Sequence, residues 1–527
     1  MLGALVDYWY YTGDSTYNDL TMEGLQFQVG PYNDYMPPNQ SLTEGNDDQG
    51  FWGMAVMTAA EVGFPNPPED EPGWLALAQA VFNTQAARWD TANCNGGLRW
   101  QIFTWNNGYN YKNSISQACF FNIAARLALY TGNTTYADWA VKTWDWMMDV
   151  KFITDTYRIY DGAHTDDGCK TITEYEFSYN VGAFLLGAAA MYEYYDSADQ
   201  SSDDSATWRG HVDGLLNATE NIFFYGDSTA DKVMVEVACE SVNLCDTDQL
   251  SFKAFLSRWM AATTKWAPWT YDRVKTLLRN SAAAAVAQCT GGDNGRMCGF
   301  KWANNSGAWD GTTGVGQQMG AMEVVLGNMI QEAKAPVTNS TGGTSTGDSD
   351  AGSDAAGSDD ARASGLGSIG KGDTAGAAIC TLIVLSGLLS GLVFLLADEE
   401  KSTKENWTSF RSSVTGLASG AVFAEMAAGG KYTTEEKGKG LAGDESSGDR
   451  VAPVVYPMPP HHEPSTGRTR MAMGMIPQSL RGVFSKTSPP AAANDSADDI
   501  GIPPPAAAAA SRSKGRFLRR PVQQRYA

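Results

Sequence analysis

Residues 1–335 are predicted to form an all-α domain, an (α/α)6 barrel that lacks its first helix. Helical periodicity recurs through this region between Gly-, Asn- and Asp-rich loops, with no alternation of strands and helices. Every second helix combines small and aromatic residues that permit close packing, whereas its partner is more amphipathic. After about residue 335 the aromatic residues thin out and Gly, Ser, Ala, Asp, Thr and Pro take over, a composition that buries too little apolar surface to fold.

In chain order the predicted helices pair as 1–13 with 15–28, 47–63 with 73–91, 112–131 with 134–151, 177–196 with 205–224, and 248–266 with 269–290, followed by 313–333. The first members carry the packing strings "GALVDYWYY", "GFWGMAVMTAA", "SISQACFFNIAARLALY", "YNVGAFLLGAAAMYEYY" and "KAFLSRWMAAT", and 313–333 adds "GVGQQMGAMEVV". A partner such as "YADWAVKTWDWMMD" spaces its apolar residues along one face. Six inner and six outer helices make a complete barrel; eleven are legible here, and the twelfth is expected before Met1.

Beyond the barrel, residues 336–374 read as a disordered Ser/Gly/Asp linker. Its "GLGSIGKG" string has no strand before it and Gly372 where a phosphate loop needs Ser or Thr, so a nucleotide is not expected. Residues 375–397, "AGAAICTLIVLSGLLSGLVFLLA", are an uncharged run long enough to span a bilayer as one hydrophobic helix. Small residues and a polar spacer precede it, which is also the form of a glycolipid-anchor signal with attachment near Ala363, Ser364 or Gly365. A membrane is therefore a predicted partner, through anchor or helix. Residues 398–527 read as a low-complexity, disordered tail.

A net charge of −22 argues against nucleic acid, which needs a basic footprint, and suits a neutral glycan. The only histidines are His164, His211, His461 and His462, so neither Ser-His-Asp chemistry nor a His-rich metal site is expected. No metal and no cofactor is predicted. Cys239 with Cys245, and Cys289 with Cys298, are spaced for local disulfides. Sequons at Asn39, Asn133, Asn217, Asn304 and Asn339 favour a secreted, glycosylated chain. The opening "MLGALVDYWYYTGD" nevertheless has no basic n-region and no cleavage site.

The chemistry centres on "GNDDQGFWGMA", residues 45–55. Asp47 and Asp48 open a helix, where a carboxylate accepts orphan N–H groups and favours the positive end of the dipole. Capping does not require a second carboxylate, nor Phe51 and Trp52 on the same face. Two close carboxyls beside aromatic rings cannot both ionise easily, so one stays protonated, which is what glycoside cleavage needs. Adjacent Cα atoms lie about 3.8 Å apart, which suits the carboxyl separation of about 5 Å in retaining enzymes better than the wider inverting gap.

Further binding candidates follow from residue type. Asn46, Phe51 and Trp52 flank the pair, and "WNNGYNYKNSIS" interleaves Trp105, Tyr109 and Tyr111 with Asn106, Asn107, Asn110, Lys112 and Asn113. Aromatic faces pack on sugar rings, while amides and ammonium groups bond hydroxyls. Turn chemistry and core packing account for the same residues equally. Asp161, Asp166 and Asp167, with Tyr179 and Asn180, add loop carboxylates and a helix start.

Together "GNDDQGFWGMA", "GYNYKNSISQACFFNIAARLALYTGN", "YADWAVKTWDWM" and "YNVGAFLLGAAAMY" closely resemble glycoside hydrolase family 76, in particular its fungal, glycolipid-anchored wall proteins. The resemblance implies an (α/α)6 barrel acting on α-1,6-linked mannose, with the first aspartate, Asp47, as nucleophile and the second, Asp48, as acid/base. It further implies a place at the cell surface and wall, where the mannose of a glycolipid (GPI) anchor is transferred to a β-glucan acceptor. Family members begin with a signal peptide and one more helix, and they end at the hydrophobic run. A non-catalytic mannan-binding wall protein is the alternative from a different class.

Overall fold

The computed structural model describes residues 1–303, 308–353, 379–388, 402, 404, 405 and 408. Through residue 335 the described chain contains eleven α-helices, one at each predicted place: α1 (Leu2–Thr12), α2 (Asn18–Phe27), α3 (Asn46–Glu61), α4 (Trp74–Ala87), α5 (Ser114–Thr131), α6 (Thr134–Asp149), α7 (Ser178–Ala198), α8 (Asp203–Phe223), α9 (Phe252–Trp266), α10 (Tyr271–Ala287) and α11 (Val315–Leu326). The odd-numbered helices pack in succession and α11 closes on α1, which makes a ring of six. Helices α2, α4, α6, α8 and α10 lie against that ring as its outer layer. Among the described residues no helix fills the sixth outer place, between α11 and α1.

Small residues let the inner helices approach. A Cβ at Gly50 of α3 would lie 2.4 Å from the Cβ of Cys119 on α5, and one at Gly187 of α7 would lie 2.5 Å from the Phe121 ring. The buried core is correspondingly rich in Ala, Leu, Phe and Trp. Ring closure adds buried ions: Arg258 of α9 meets Asp7 of α1 at 2.5 Å and Glu323 of α11 at 2.7 Å. Arg126 of α5 pairs with Glu61 of α3 at 2.5 Å.

The sheets are short. Strands β1 (Tyr111–Asn113), β2 (Gly162–His164) and β3 (Ile172–Thr173) form an antiparallel sheet in that order, and β4 (Phe224–Tyr225) pairs with β5 (Val233–Met234). The first sheet bonds the α4–α5 loop to the α6–α7 loop, with Lys112 opposite Ala163 and Asn113 opposite Gly162. The Cys94–Cys169 disulfide ties the same two loops, alongside the expected Cys239–Cys245 and Cys289–Cys298 pairs.

Two expectations require correction. Helix 112–131 starts two residues later, because β1 takes Lys112 and Asn113 and the Asn113 side chain then caps α5 through the Ser116 N–H. The linker predicted from residue 336 is packed as far as 353. Val337 N–H bonds Glu61 at 2.7 Å, Asn339 N–H bonds Tyr130 at 3.0 Å, and the Ser345 hydroxyl accepts the Leu75 N–H at 2.9 Å. Composition gives no sign of this strap, because backbone groups make most of its bonds.

Among the described residues no helix is long and apolar enough to cross a membrane. Residues 379–388 form a helix with exposed Leu382, Ile383 and Leu388. The rest of the 375–397 run, the anchor positions Ala363 to Gly365, Asn304 and nearly all of the 398–527 tail lie outside the described residues.

Candidate active site

The aspartate pair sits at the N-terminus of α3. Its N-cap, Gly45, has no side chain to offer, and Asp48 reaches back so that Oδ2 accepts the Gly45 N–H at 2.8 Å. Asp47 Oδ1 accepts the Asp48 N–H at 3.1 Å. The capping reading is therefore correct for Asp48, and both carboxyls also line a cleft of about 380 Å³.

Four segments build that cleft. Asp47, Asp48 and Phe51 come from α3, and Trp100, Tyr111 and Asn113 from the α4–α5 connection. Asp161, Phe177 and Tyr179 come from the α6–α7 connection and the start of α7, and Asp246, Asp248, Gln249, Ser251, Phe252 and Phe255 from the approach to α9 and its first turn. The rings form one continuous wall. Tyr179 stacks on Phe252 at 3.7 Å, and Phe51 lies 6.3 Å from Tyr179 and 4.8 Å from Phe255. In the same cleft the Tyr111 hydroxyl donates to Asp161 at 2.7 Å. A larger crevice of about 910 Å³, between residues 31–33, 66–73 and 346–352, contains neither aspartate of the pair, so the smaller cleft is the candidate site.

Asp47 is half-buried and Asp48 exposed at the cleft surface. Burial first, and then the neighbouring Asp48 charge, push Asp47 up to about 8. Burial raises Asp48 as well, with a contribution from Asp248, while the Gly45 N–H pulls it down. The two carboxyls titrate together, so near neutrality the pair holds a proton more tightly than an isolated carboxylate does. Burial pushes Asp161 up to about 6 against the opposing Tyr111 hydroxyl.

Of the residues singled out from sequence, the cleft contains Asp47, Asp48, Phe51, Tyr111, Asn113, Asp161 and Tyr179. The others have different work. Asn46 is buried and joins α3 to its neighbours, donating to the Arg99 carbonyl at 2.9 Å and accepting from Arg88 at 3.1 Å. Trp52 turns away and stacks on Tyr35 at 5.2 Å. Trp105 is exposed on Phe103, Asn106 donates to the Leu42 carbonyl, and Asn107 faces solvent. Tyr109 lies under the Arg99 guanidinium, and Asn110 donates to Asp166 at 2.9 Å. Lys112 is completely buried. Its ammonium binds the carbonyls of Asp90, Asn93 and Gly96 at 2.5–2.9 Å, so it braces a loop and meets no sugar. Asn180 is buried in α7, with neither amide atom hydrogen-bonded.

Sequence reasoning missed Trp100, Phe177, Asp246, Asp248, Gln249, Ser251, Phe252 and Phe255. The string "DTDQLSFKAF" carried a signal in its two aspartates before the aromatic pair Phe252 and Phe255, acidic residues leading into aromatic ones as they do in "DDQGF". The sequons place Asn39, Asn133, Asn217 and Asn339 on exposed positions.

Comparison with known proteins adds relationships to this geometry. The model of glycosyl hydrolase family 76 matches residues 1–340. The chain is 45% identical over 396 residues to mannan endo-1,6-alpha-mannosidase DCW1 of Saccharomyces cerevisiae, covering 75% of this chain and 84% of that protein. It is 43% identical over 396 residues to mannan endo-1,6-alpha-mannosidase DFG5 of the same yeast, covering 75% and 83%. The crystal structure of Dfg5 from Chaetomium thermophilum in complex with glucosamine is similar with a TM-score of 0.62 and 48% identity, over 67% of this chain and 84% of that one.

Proposed function

The chain belongs to glycosyl hydrolase family 76 and is a glycoside hydrolase; from that premise we propose that it cleaves α-1,6-linked mannose with retention of configuration, Asp47 attacking and Asp48 managing the proton. The observation that carries the reading is the aspartate pair at the α3 N-terminus, open to a cleft with an aromatic wall. A sugar ring lies against Phe51, Tyr179 and Phe252 through its apolar face.

Asp48 is the more exposed of the two carboxyls and has the most water to lose when a glycan enters. Covering it raises its proton affinity, and the proton that the pair holds settles on Asp48. Asp47 is then ionised. It bonds the anomeric carbon as the glycosidic C–O bond breaks, and Asp48 gives its proton to the departing oxygen. In the second half, Asp48 removes a proton from the acceptor hydroxyl, whose oxygen displaces Asp47. Water as acceptor gives hydrolysis, and a hydroxyl of a second glycan, β-glucan included, gives transfer. The proposed donor is mannan or the mannose of a GPI glycan, and the proposed setting is the cell surface and wall. Three disulfides and four exposed sequon asparagines support an oxidising, secretory route. Membrane attachment through the 375–397 run belongs to the same proposal.

The test follows α-1,6-mannotriose by proton NMR from the first turnover, with a fluorinated mannoside to trap the covalent intermediate. The reading predicts α-anomer as first product and an adduct on Asp47. First-formed β-anomer would overturn the retaining mechanism, and no turnover by a folded, glycosylated preparation would overturn the activity.

A further inference from the structure

We propose that Glu236, outside the cleft, is a positioning residue that holds the aromatic wall of Phe177, Tyr179 and Phe252 in register for the sugar. The inference rests on the reading of the cleft as the glycan site. Helix α7 begins poorly by itself, since its N-cap is Phe177, which has no side-chain oxygen to satisfy the first-turn N–H groups. Glu236 supplies the missing acceptor from another segment. It is completely buried just after β5, and its two carboxyl oxygens take the Ser178 N–H at 3.1 and 3.3 Å, while one of them also takes the Ser178 hydroxyl. Ser178 lies between the two cleft residues Phe177 and Tyr179.

A second link closes a circuit. The Glu236 N–H donates to Glu240 Oε2 at 2.8 Å, and that oxygen also receives the Lys253 ammonium at 2.9 Å. Lys253 is buried over the rings of Phe300 and Trp302 at 4.0 and 4.2 Å. Its neighbour in sequence, Phe252, stacks on Tyr179 and meets Phe177 edge-on at 5.6 Å. Phe177 and Tyr179 are thereby joined to Phe252 twice, directly through the rings and indirectly through Ser178, Glu236, Glu240 and Lys253. The Cys239–Cys245 disulfide closes the turn that carries Glu240, and Glu236 stands three residues before it. Buried polar groups of this kind cost desolvation that an apolar residue would avoid, and what they add is a fixed geometry. Burial pushes Glu236 up to about 8, so near neutrality it is mostly uncharged and glutamine is its nearest mimic.

The experiment measures kcat and KM on α-1,6-mannotriose for the full chain and its variants, well below each melting temperature. Glu236→Ala should raise KM by about ten- to a hundredfold with kcat nearly kept, because a wall displaced by a fraction of an ångström loses stacking before it loses chemistry. Glu236→Gln should restore KM to within about threefold of the parent, since it keeps an acceptor for Ser178. An unchanged KM in Glu236→Ala, or a Gln variant as impaired as the Ala variant, overturns the role. If Glu236→Ala does not fold, Ser178→Ala decides the matter, with a KM rise of about threefold expected for one lost hydrogen bond and no rise overturning the inference. A parent enzyme without turnover counts against the function itself, whereas an active parent with indifferent Glu236 variants counts against Glu236 alone.

Discussion

Asp48 both caps a helix and lines the aspartate cleft, and these roles separate under substitution. Asparagine at 48 still accepts the Gly45 N–H, so Asp48→Asn should melt near the parent temperature while losing about 10²–10⁴-fold in rate on α-1,6-mannotriose, the usual worth of a positioned acid. Asp47→Asn should be at least as inactive and should form no glycosyl adduct. Parent-like turnover in both would reduce the pair to capping. The pH dependence of stability gives an independent reading. Asp47 rises from 3.8 to about 8 on folding, so the folded state holds this proton more tightly than the unfolded chain. Its favourable contribution is complete below about pH 4 and is lost as pH climbs through 8, and asparagine does not titrate. Calorimetry should accordingly find Asp47→Asn gaining stability relative to the parent between pH 4 and 8. A melting difference that is flat across that window would show that Asp47 is not raised.

Elements show where sequence periodicity was enough and where it was not. All eleven helices were legible because a buried stripe repeats every 3.6 residues whatever it packs against. Asp47, Asp48 and Phe51 were legible for a related reason, since a helix start fixes which near neighbours share a face. Lys112 was misread because its type suits a sugar hydroxyl and a loop carbonyl equally; only the fold sets it between Asp90, Asn93 and Gly96. Phe252 and Phe255 were not singled out because Tyr179, which shares the aromatic wall with them, lies more than seventy residues away in sequence. The strap at 336–353 bonds through its backbone, which composition does not report. A chain ending at residue 335 should therefore unfold at lower urea than one ending at 353, by about 1–3 kcal/mol for the lost hydrogen bonds net of ordering. Equal midpoints would mean that the strap is decoration. Ring closure can be tested in the same way. Arg258→Met leaves Asp7 and Glu323 buried without their shared cation, and the barrel should lose about 3–5 kcal/mol.

At the scale of the whole molecule, charge determines what can approach. The chain carries a formal −22, and the cleft keeps that sign: Asp48, Asp161, Asp246 and Asp248 line it beside the proton-holding Asp47, with no Lys, Arg or His among its described lining residues. Low-dielectric walls focus the field of such a cluster, so a phosphate on the glycan meets repulsion before it meets Phe51 or Tyr179. A neutral mannoside is indifferent to the same field. We therefore expect kcat/KM at low ionic strength to be at least about tenfold lower for an α-1,6-mannotriose bearing a phosphate than for the neutral trisaccharide. Salt should narrow the gap, because the screening length falls from about 30 Å at 0.01 M to about 10 Å at 0.1 M, near the dimensions of the cleft. Asp246→Asn with Asp248→Asn should narrow it without salt, since these two carboxylates stand at the approach to α9, on a different segment from Asp47 and Asp48. Rates that are equal for the two substrates in 10 mM buffer would show that the acidic surface has no part in choosing the substrate, and a gap insensitive to salt would mark the phosphate as excluded by shape.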